Sequence, residues 1–169
     1  MSIKKKTYKR VTTNTLQEMK RNEEKISMLT AYDYTLAKII DNAGIDVILV
    51  GDSVGMVLYG MKSTKQVKID TMILHAKAVT RTAKKSLVVV DMPYKTYTNK
   101  FSAFKNAKRI LKATGCDAVK LEGGKNKISI IKYIIKKGIP VMGHIGLLPQ
   151  YINSKFKIMG KNKFERKKI

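Results

Sequence analysis

Cysteine, proline and tryptophan are scarce in this 169-residue sequence, which contains one, three and none of them respectively. The lone cysteine, Cys116, excludes an internal disulfide framework and any zinc site built from cysteine pairs. We interpret it as a small buried hydrophobe ahead of a strand rather than as a reactive thiol. With 11 glycines and 44% hydrophobic residues, the composition excludes a disordered chain and predicts one globular domain.

Long apolar runs are also missing, because no segment approaches the roughly 20 residues that a membrane-spanning helix needs. The first ten residues, MSIKKKTYKR, lead into polar sequence rather than into the apolar core of a signal peptide. We therefore expect a cytoplasmic protein without a membrane partner.

Acidic residues are few as well, since 12 of them accompany 35 basic residues and leave a net charge of +23. Such a charge raises the hypothesis of a polyanion-binding protein. The basic residues are 30 lysines and 5 arginines, however, and sites that grip phosphate or read bases favour arginine. Because the lysines are spread over every segment, we interpret most of the charge as solvated surface and predict no specific nucleic-acid partner.

Five apolar runs, each ending in a polar or glycine-containing tip, predict five β-strands. They cover residues 26–34, 46–53, 87–93, 118–124 and 140–147. Their continuous hydrophobicity indicates burial on both faces, as in a parallel sheet. Helical patterns alternate with the strands, at residues 15–24, 35–44, 71–85, 101–115 and 126–138. This alternation is typical of right-handed βαβ units in an α/β fold.

Side-chain patterns predict details of three of these helices. Thr15 and Glu18 have the spacing of a capping box, and Asp70 is a candidate cap for the third helix. The last helix is expected to turn four isoleucines inward: Ile130, Ile131, Ile134 and Ile135.

Two segments interrupt the alternation. Residues 54–69 are too long for an ordinary βα connection, which predicts a functional, lid-like loop. Residues 151–169 hold seven basic residues and one acid with little periodicity. We therefore predict a domain at 1–150 followed by a poorly ordered basic tail at 151–169.

Polar side chains lie where the predicted strands end, and the carboxyl ends of parallel strands are where α/β folds build their ligand sites. In chain order they are Asp33, Asp52, Ser53, Asp91, Lys120, Glu122 and His144. Asp33 is equally compatible with a capping role for the helix that follows it. His75 lies inside a predicted helix and is interpreted as structural or exposed.

Three carboxylates in one cleft, from Asp52, Asp91 and Glu122, would repel each other unless a cation lay between them. Oxygen ligands of this kind favour Mg²⁺. A bound Mg²⁺ keeps positions open for an α-keto acid, and its Lewis acidity makes the carbon beside the keto group acidic.

Three further side chains complete the predicted site. Lys120 lies two residues before Glu122, on the same face of the strand, and is the candidate for neutralising a substrate carboxylate. Ser53 is a candidate hydrogen-bond donor to the substrate. His144 is a candidate for orienting a ligand or transferring a proton.

The same residues lie in ordered motifs: TAYDY, VGDSVGM, DMP, VKLEGG and PVMGHIGLLPQ. In this order they closely resemble ketopantoate hydroxymethyltransferase (3-methyl-2-oxobutanoate hydroxymethyltransferase), over about residues 7–160. The resemblance implies a (β/α)₈ barrel of the TIM type in a large homo-oligomer. It also implies transfer of a one-carbon unit from methylene-tetrahydrofolate to 3-methyl-2-oxobutanoate, giving 2-dehydropantoate for pantothenate synthesis.

The resemblance further implies roles for individual residues. Asp52, Asp91 and Glu122 correspond to the family's Mg²⁺ ligands, and the keto acid contacts Asp52, Ser53, Asp91 and Lys120.

The sequence departs from the family pattern in its C-terminal part. The family's general base is a glutamate in a motif resembling LECVP on the sixth strand, and this motif is absent. The only acid after Glu122 is Glu165, to which we assign no catalytic role, and Leu148 replaces a hydroxyl-bearing residue. We therefore expect a C-terminally truncated barrel with five of eight βα units, completed by a homo-oligomer or by a complementing C-terminal half.

Two alternatives to the hydroxymethyltransferase hypothesis follow from the residues. One is a related Mg²⁺-dependent keto-acid lyase or mutase, which would use the same carboxylates. The other is a catalytically silent fragment, including a remnant that binds polyanions through its charge of +23.

Overall fold

The computed structural model describes residues 10–152 and 158–168. Five strands form one sheet: β1 Met28–Thr30, β2 Val47–Val50, β3 Leu87–Asp91, β4 Ala118–Glu122 and β5 Val141–His144. The helices are α1 Thr13–Arg21, α2 Tyr34–Asn42, α3 Val54–Val57, α4 Ile69–Thr80, α5 Lys100–Thr114, α6 Ile128–Lys136 and α7 Lys163–Lys168. No helix of the described ranges is long and apolar enough to cross a bilayer.

The strands follow their chain order across the sheet, β1-β2-β3-β4-β5, and every neighbouring pair is parallel. Parallel neighbours need a crossover connection, and a helix supplies each one. The predicted alternation of five strands and intervening helices is therefore confirmed.

The two faces of the sheet carry separate apolar clusters. Side chains such as Ile48, Val88 and Val119 form the main core with α2, α4, α5 and α6. The alternate positions of the strands point to the opposite face, because successive side chains in a strand lie on opposite sides. There a smaller cluster gathers on what we call the inner face: Val11, Val47, Leu87, Val89 and Ala118.

The outermost strands are only partly covered. All three residues of β1 are exposed, with Leu29 49% accessible, and no residue of β5 is fully buried. Burial on both faces, expected for all five strands, is therefore wrong for β1 and β5, which pair on one side only and form the two edges of the open sheet.

Two helices, α1 and α4, begin two residues earlier than the sequence predicts. The capping box of α1 joins Thr12 and Thr15, so Thr15 is the third helical residue and not the cap. Val11 packs on the inner face, and its N–H donates to the Lys85 carbonyl at 2.7 Å, which sets this earlier start. Asp70 lies inside the first turn of α4, where it forms an ion pair with Arg109 of α5 instead of capping.

Two further expectations need correction. The segment at 54–69 is not a long irregular loop, because it contains α3 and a short 3-10 turn at Thr64–Gln66. In α6, Ile130 and Ile134 are buried and Ile131 packs against them, but Ile135 is 52% exposed. The buried stripe of this short helix is narrower than the pattern indicated.

Three aspartate carboxylates accept hydrogen bonds from backbone N–H groups near the amino ends of the strands. The Asp41 carboxylate accepts hydrogen bonds from the N–H groups of Lys84, Lys85 and Ser86 at 2.7–3.1 Å. Burial raises the pKa of Asp41, but these backbone bonds outweigh it and lower the pKa overall. In the same way Asp46 accepts from the Ser27 N–H, and Asp117 accepts from the Val88 N–H, both at 2.8 Å.

The predicted basic tail is described only in part. Residues 153–157 lie outside the described residues, and the chain beyond them includes α7. Just before them, a 3-10 turn at Pro149–Tyr151 brings Gln150 into the protein interior.

Candidate active site at the strand ends

The side chains on the inner face change from apolar to charged toward the carboxyl ends of the strands. On β3 the positions Leu87 and Val89 are apolar and are followed two residues later by Asp91. On β4 the position Ala118 is followed by Lys120 and Glu122. Because alternate residues share a face, the charged groups lie on the same side as the apolar cluster, at the carboxyl end of the sheet.

The end of β2 brings a second aspartate to this place. The backbone N–H of Asp52 donates to Oδ2 of Asp91 at 3.1 Å. Gly51 keeps this junction open, because a Cβ there would lie 3.0 Å from Oγ of Ser53 and 3.5 Å from Oδ2 of Asp91. The Ser53 hydroxyl is in turn hydrogen-bonded to the phenol of Tyr32, with 2.7 Å between the oxygens.

Lys120 forms an ion pair with Asp91. Its Nζ lies 2.6 Å from Oδ1 of Asp91, and the two residues are direct partners in the register of β3 and β4. The side chains are only 12% and 6% exposed. The lysine predicted to neutralise a substrate carboxylate is thus already held by an aspartate at the edge of the same site.

Glu122 and His144 are partners in the register of β4 and β5. His144 Nδ1 lies 3.5 Å from Oε1 of Glu122, but within the described part of the chain this buried nitrogen has no hydrogen-bond partner. Burial and the charge of Lys120 lower the pKa of His144. A neutral imidazole with an unsatisfied nitrogen beside the carboxylates fits the predicted site role.

Gln150 is a site residue that the sequence analysis missed. Its side-chain Nε2 donates to Oδ2 of Asp52 at 2.7 Å and to the carbonyl of Met92 at 3.0 Å. Its backbone N–H donates to Oε2 of Glu122 at 3.0 Å. The signal that could have identified it is its place at the end of the motif PVMGHIGLLPQ.

Tyr97 was also missed, since it lies in the irregular segment between β3 and α5. Its hydroxyl donates to Oε1 of Gln150 and accepts from the N–H of Glu122 at 3.3 Å. The phenol is 1% exposed, and burial raises its pKa. Tyr97 therefore acts as a neutral hydrogen-bonding group that connects Gln150 to β4.

The carboxylates of the site are too numerous for the one ammonium beside them. Burial, followed by repulsion from Asp91, raises the pKa of Asp52 to about 6. Burial also raises the pKa of Glu122 to about 7, and the charges of Asp52 and Asp91 add to the increase. Lys120 opposes both shifts without cancelling them. An additional cation would therefore stabilise the ionised forms.

The donor set fits Mg²⁺ in its chemistry, because it consists of carboxylate oxygens that need positive charge. Across residues 10–152 and 158–168, however, no three Asp, Glu, His or Cys side chains form a preformed metal cluster. Mg²⁺ does not require one, since it usually retains several waters and binds through one or two carboxylates. Ligation by Asp52, Asp91 and Glu122 stays a prediction.

Asp33 and His75 form hydrogen bonds with groups other than the carboxylates of the site. Asp33 caps α2, because its carboxylate accepts from the Leu36 N–H at 2.8 Å. His75 lies between the backbone carbonyl of Tyr32 and the hydroxyl of Tyr59, at 2.6 and 2.5 Å.

The lone thiol and the last acid of the chain are also away from the site. Cys116 is buried, which raises its pKa to about 11 and confirms its interpretation as a core residue. Glu165 belongs to α7, where its carboxylate accepts from the backbone N–H of Lys161 at 3.0 Å.

Comparison with known proteins gives a consistent result. The sequence profile of the family described as ketopantoate hydroxymethyltransferase matches residues 10–169. A 3-methyl-2-oxobutanoate hydroxymethyltransferase of Flavobacterium johnsoniae is 56% identical over 153 residues, which cover 90% of this chain and 56% of that protein. A protein of the same name from Phocaeicola vulgatus is 51% identical over 164 residues, covering 95% of this chain and 60% of that protein.

Solved structures share the fold at much lower identity. A phosphonopyruvate hydrolase, determined with oxalate and Mg²⁺, has a TM-score of 0.61 and 13% identity and covers 79% of this chain and 52% of its own. A 2,3-dimethylmalate lyase of the PEP mutase/isocitrate lyase superfamily has a TM-score of 0.59 and 14% identity, with coverages of 77% and 51%. The predicted fold class, five βα units of a (β/α)₈-type barrel, is confirmed.

Proposed function

Because the chain belongs to the ketopantoate hydroxymethyltransferase family, we propose that it forms the cation-binding and keto-acid-binding part of a hydroxymethyltransferase site. In the proposed reaction, 3-methyl-2-oxobutanoate loses a proton from the carbon beside its keto group. That carbon then bonds to the methylene carbon of methylene-tetrahydrofolate, water supplies the hydroxyl group, and tetrahydrofolate leaves. The product is 2-dehydropantoate, an intermediate of pantothenate biosynthesis.

The scope of this proposal follows from the length of the chain. It spans 56% of the Flavobacterium johnsoniae protein that it matches, so complete turnover is proposed for the whole protein or for an assembly in which this chain takes part. A homo-oligomer and a complementing C-terminal half are the two proposed assemblies. We propose a cytoplasmic location, since a reducing compartment suits a chain whose one cysteine is a free thiol.

One observation carries the proposal: three buried carboxylates and one largely buried ammonium converge at the ends of three adjacent strands. They are Asp52 after β2, Asp91 at the end of β3, and Lys120 and Glu122 on β4. Buried carboxylates are expensive unless they are paired or bind a cation. Such an arrangement is expected at a site that receives a cation together with an anionic ligand.

Asp52, Asp91 and Glu122 are the proposed Mg²⁺ ligands. When bound, Mg²⁺ supplies Lewis acidity that stabilises negative charge on the keto oxygen of the substrate. The protein side of this arrangement is rigid, because each carboxylate is already held by a hydrogen bond or an ion pair at a defined oxygen.

Lys120 and Ser53 are the proposed contacts of the keto-acid carboxylate, with Asp52 and Asp91 beside it. The ammonium of Lys120 stays on the inner face because Asp91 holds it at 2.6 Å. The hydroxyl of Ser53 is oriented by Tyr32 at 2.7 Å. An anionic substrate would therefore contact the cationic Lys120 and the neutral hydroxyl of Ser53, and neither side chain would need to move far.

We assign no general base within residues 10–152 and 158–168. The carboxylates of the site are proposed metal ligands, and His144 is the remaining titratable side chain on β5. We propose that His144 orients a ligand or transfers a proton, while the group that accepts the proton from carbon comes from another part of the assembly.

Calorimetric titration with 3-methyl-2-oxobutanoate tests this proposal. Binding is expected to require Mg²⁺ and to weaken by about 10- to 100-fold in Lys120→Met, because a charge-assisted contact is lost. Lys105→Met is the matched control, since Lys105 is an exposed lysine of α5, and it should bind like the original chain. Binding that needs neither Mg²⁺ nor Lys120 would overturn the assignment.

The chemistry is tested by NMR in D₂O with Mg²⁺ on the assembly that supplies the proton acceptor. Exchange of the hydrogen beside the keto group, without cleavage of a carbon–carbon bond, supports the hydroxymethyltransferase class. Cleavage or rearrangement of a keto acid would instead favour the lyase or mutase class. Salt-resistant binding of nucleic acid without keto-acid binding would favour a polyanion-binding protein.

A further inference from the structure

Gln150 is 1% exposed, and both N–H donors and the oxygen of its side-chain amide have hydrogen-bond partners. It connects the end of β2, through Asp52, with the end of β4, through Glu122, and it also bonds the Met92 carbonyl after β3. Residues 52 and 150 are 98 positions apart in the chain. Burial of an amide is unfavourable unless its donors and acceptors are satisfied, so the interior position of Gln150 depends on these hydrogen bonds.

We infer that Gln150 is a positioning residue for the divalent cation. Its side-chain amide holds the carboxylate of Asp52 and its backbone amide holds that of Glu122, and each of these carboxylates keeps one oxygen that Gln150 does not engage. This inference rests on the proposed function, because the cation is the one proposed above.

The orientation of the amide is fixed by its partners. Both N–H bonds of Nε2 are used, one toward Oδ2 of Asp52 and one toward the carbonyl of Met92. Oε1 accepts the hydroxyl of Tyr97. A flipped amide would place its oxygen against a carboxylate and a carbonyl, which are both acceptors. Gln150 therefore always presents a donor to Asp52.

The bonds use one oxygen of each carboxylate. Gln150 engages Oδ2 of Asp52 and Oε2 of Glu122 and does not engage Oδ1 or Oε1, and Oε1 of Glu122 lies 3.5 Å from His144 Nδ1. Carboxylates that ligate metals are commonly held in this way by hydrogen bonds from residues outside the first coordination shell. Loss of such a partner typically weakens metal binding by about 10- to 100-fold.

Titration of the full 169-residue chain with Mn²⁺ alone, followed by EPR, tests the inference without any substrate. Gln150→Met keeps the length of the side chain and removes the amide. Its Mn²⁺ affinity is expected to fall about 10- to 100-fold. Gln66→Met is the control, because Gln66 is exposed in the 3-10 turn before α4, and its affinity should stay within about twofold of the original.

A second variant covers the case in which Gln150→Met fails to fold. Tyr97→Phe preserves the buried ring and the glutamine but removes the hydroxyl that orients the amide. We expect a smaller loss of Mn²⁺ affinity, about three- to tenfold, at unchanged folded content by circular dichroism.

Each result decides the inference. It is overturned if Gln150→Met, or Tyr97→Phe where only that variant folds, binds Mn²⁺ as the original chain does. A lowered melting temperature with unchanged affinity shows a purely structural role and overturns it as well. If the original chain itself binds no Mn²⁺, the metal assignment of the proposed function fails together with it.

Discussion

Lys120→Met is the substitution that tests the electrostatics of the site most directly. Methionine keeps most of the aliphatic length of lysine and removes the ammonium that lies 2.6 Å from Asp91. The same ammonium lowers the pKa values of Asp52 and Glu122 by its charge. The variant therefore leaves three buried carboxylates without their nearest cation.

The expected loss of stability is large. Removal of one partner from a buried ion pair costs about 3–5 kcal/mol, because the other charge stays buried without compensation. The side chains of Lys120 and Asp91 are 12% and 6% exposed, so the full range applies. For a chain of this size, each kcal/mol lowers the melting temperature by about 2–4 °C, which gives a decrease of roughly 6–20 °C at pH 8.

The loss should shrink in acid. With Lys120 present, the pKa values are about 6 for Asp52 and about 7 for Glu122. Without it both rise further, so protons neutralise these carboxylates more readily and relieve the repulsion. At pH 5 the loss of melting temperature in Lys120→Met should therefore be smaller than at pH 8, and the part caused by the broken ion pair with Asp91 should remain.

Thermal unfolding followed by circular dichroism between pH 5 and pH 8, without added Mg²⁺, measures these effects. Lys105→Met controls for the loss of one lysine, and the double variant Lys120→Met with Asp91→Asn should recover part of the stability. A melting temperature within about 2 °C of the original at pH 8 would refute the reasoning. A loss that is equal at all pH values would show that packing, not charge, holds Lys120 in place.

Three more predictions concern the same region. In the original chain without Mg²⁺, Asp52 and Glu122 have pKa values of about 6 and 7, above their unfolded values of about 4. The folded chain therefore holds more protons than the unfolded chain in this pH window. Its unfolding free energy should fall as pH rises from about 4 to 7, by up to about 1.4 kcal/mol per pH unit for each group. Denaturant titrations should show this fall, and added Mg²⁺ should reverse part of it. Tyr32→Phe removes the hydrogen bond to the hydroxyl of Ser53. It should lower the unfolding free energy by about 1 kcal/mol in denaturant titrations and weaken keto-acid binding in calorimetry. Unchanged binding would contradict the orienting role of Tyr32. Gly55→Ala would place a Cβ 2.5 Å from a valine methyl carbon and should lower the unfolding free energy by about 1–3 kcal/mol, measured by thermal unfolding. Gly143→Ala is the control, because a Cβ there meets nothing within 4 Å. An equal loss of stability in both variants would contradict the steric explanation.

Strand geometry made much of the site predictable from the sequence alone. Continuous apolar runs located the central strands, and alternate residues of a strand necessarily share a face. Asp91, Lys120 and Glu122 could therefore be assigned to one end of the sheet from their positions in the chain. Asp52 did not follow from this alternation but from its place just after a buried strand, because the carboxyl ends of parallel strands meet at one edge of the sheet.

The residues that were missed depend on contacts between distant segments. Gln150 and Tyr97 lie outside the regular strands and helices of the sheet region, where no periodicity indicates the direction of a side chain. Their hydrogen bonds bridge separations of 98 residues to Asp52 and 53 residues to each other. Local pattern also failed at Asp70, because an ion pair with another helix outweighed the capping role that its sequence position favoured.

The distribution of acidic residues has a consequence for how ligands approach. Asp41, Asp46, Asp52, Asp91 and Glu122 are buried, whereas the lysines are spread along a chain whose net charge is +23. The exterior is therefore more positive than the composition alone suggests, and its potential reaches about 8 Å into solvent at physiological ionic strength. A small anionic ligand is steered toward this surface, and its association rate should decrease steeply with added salt.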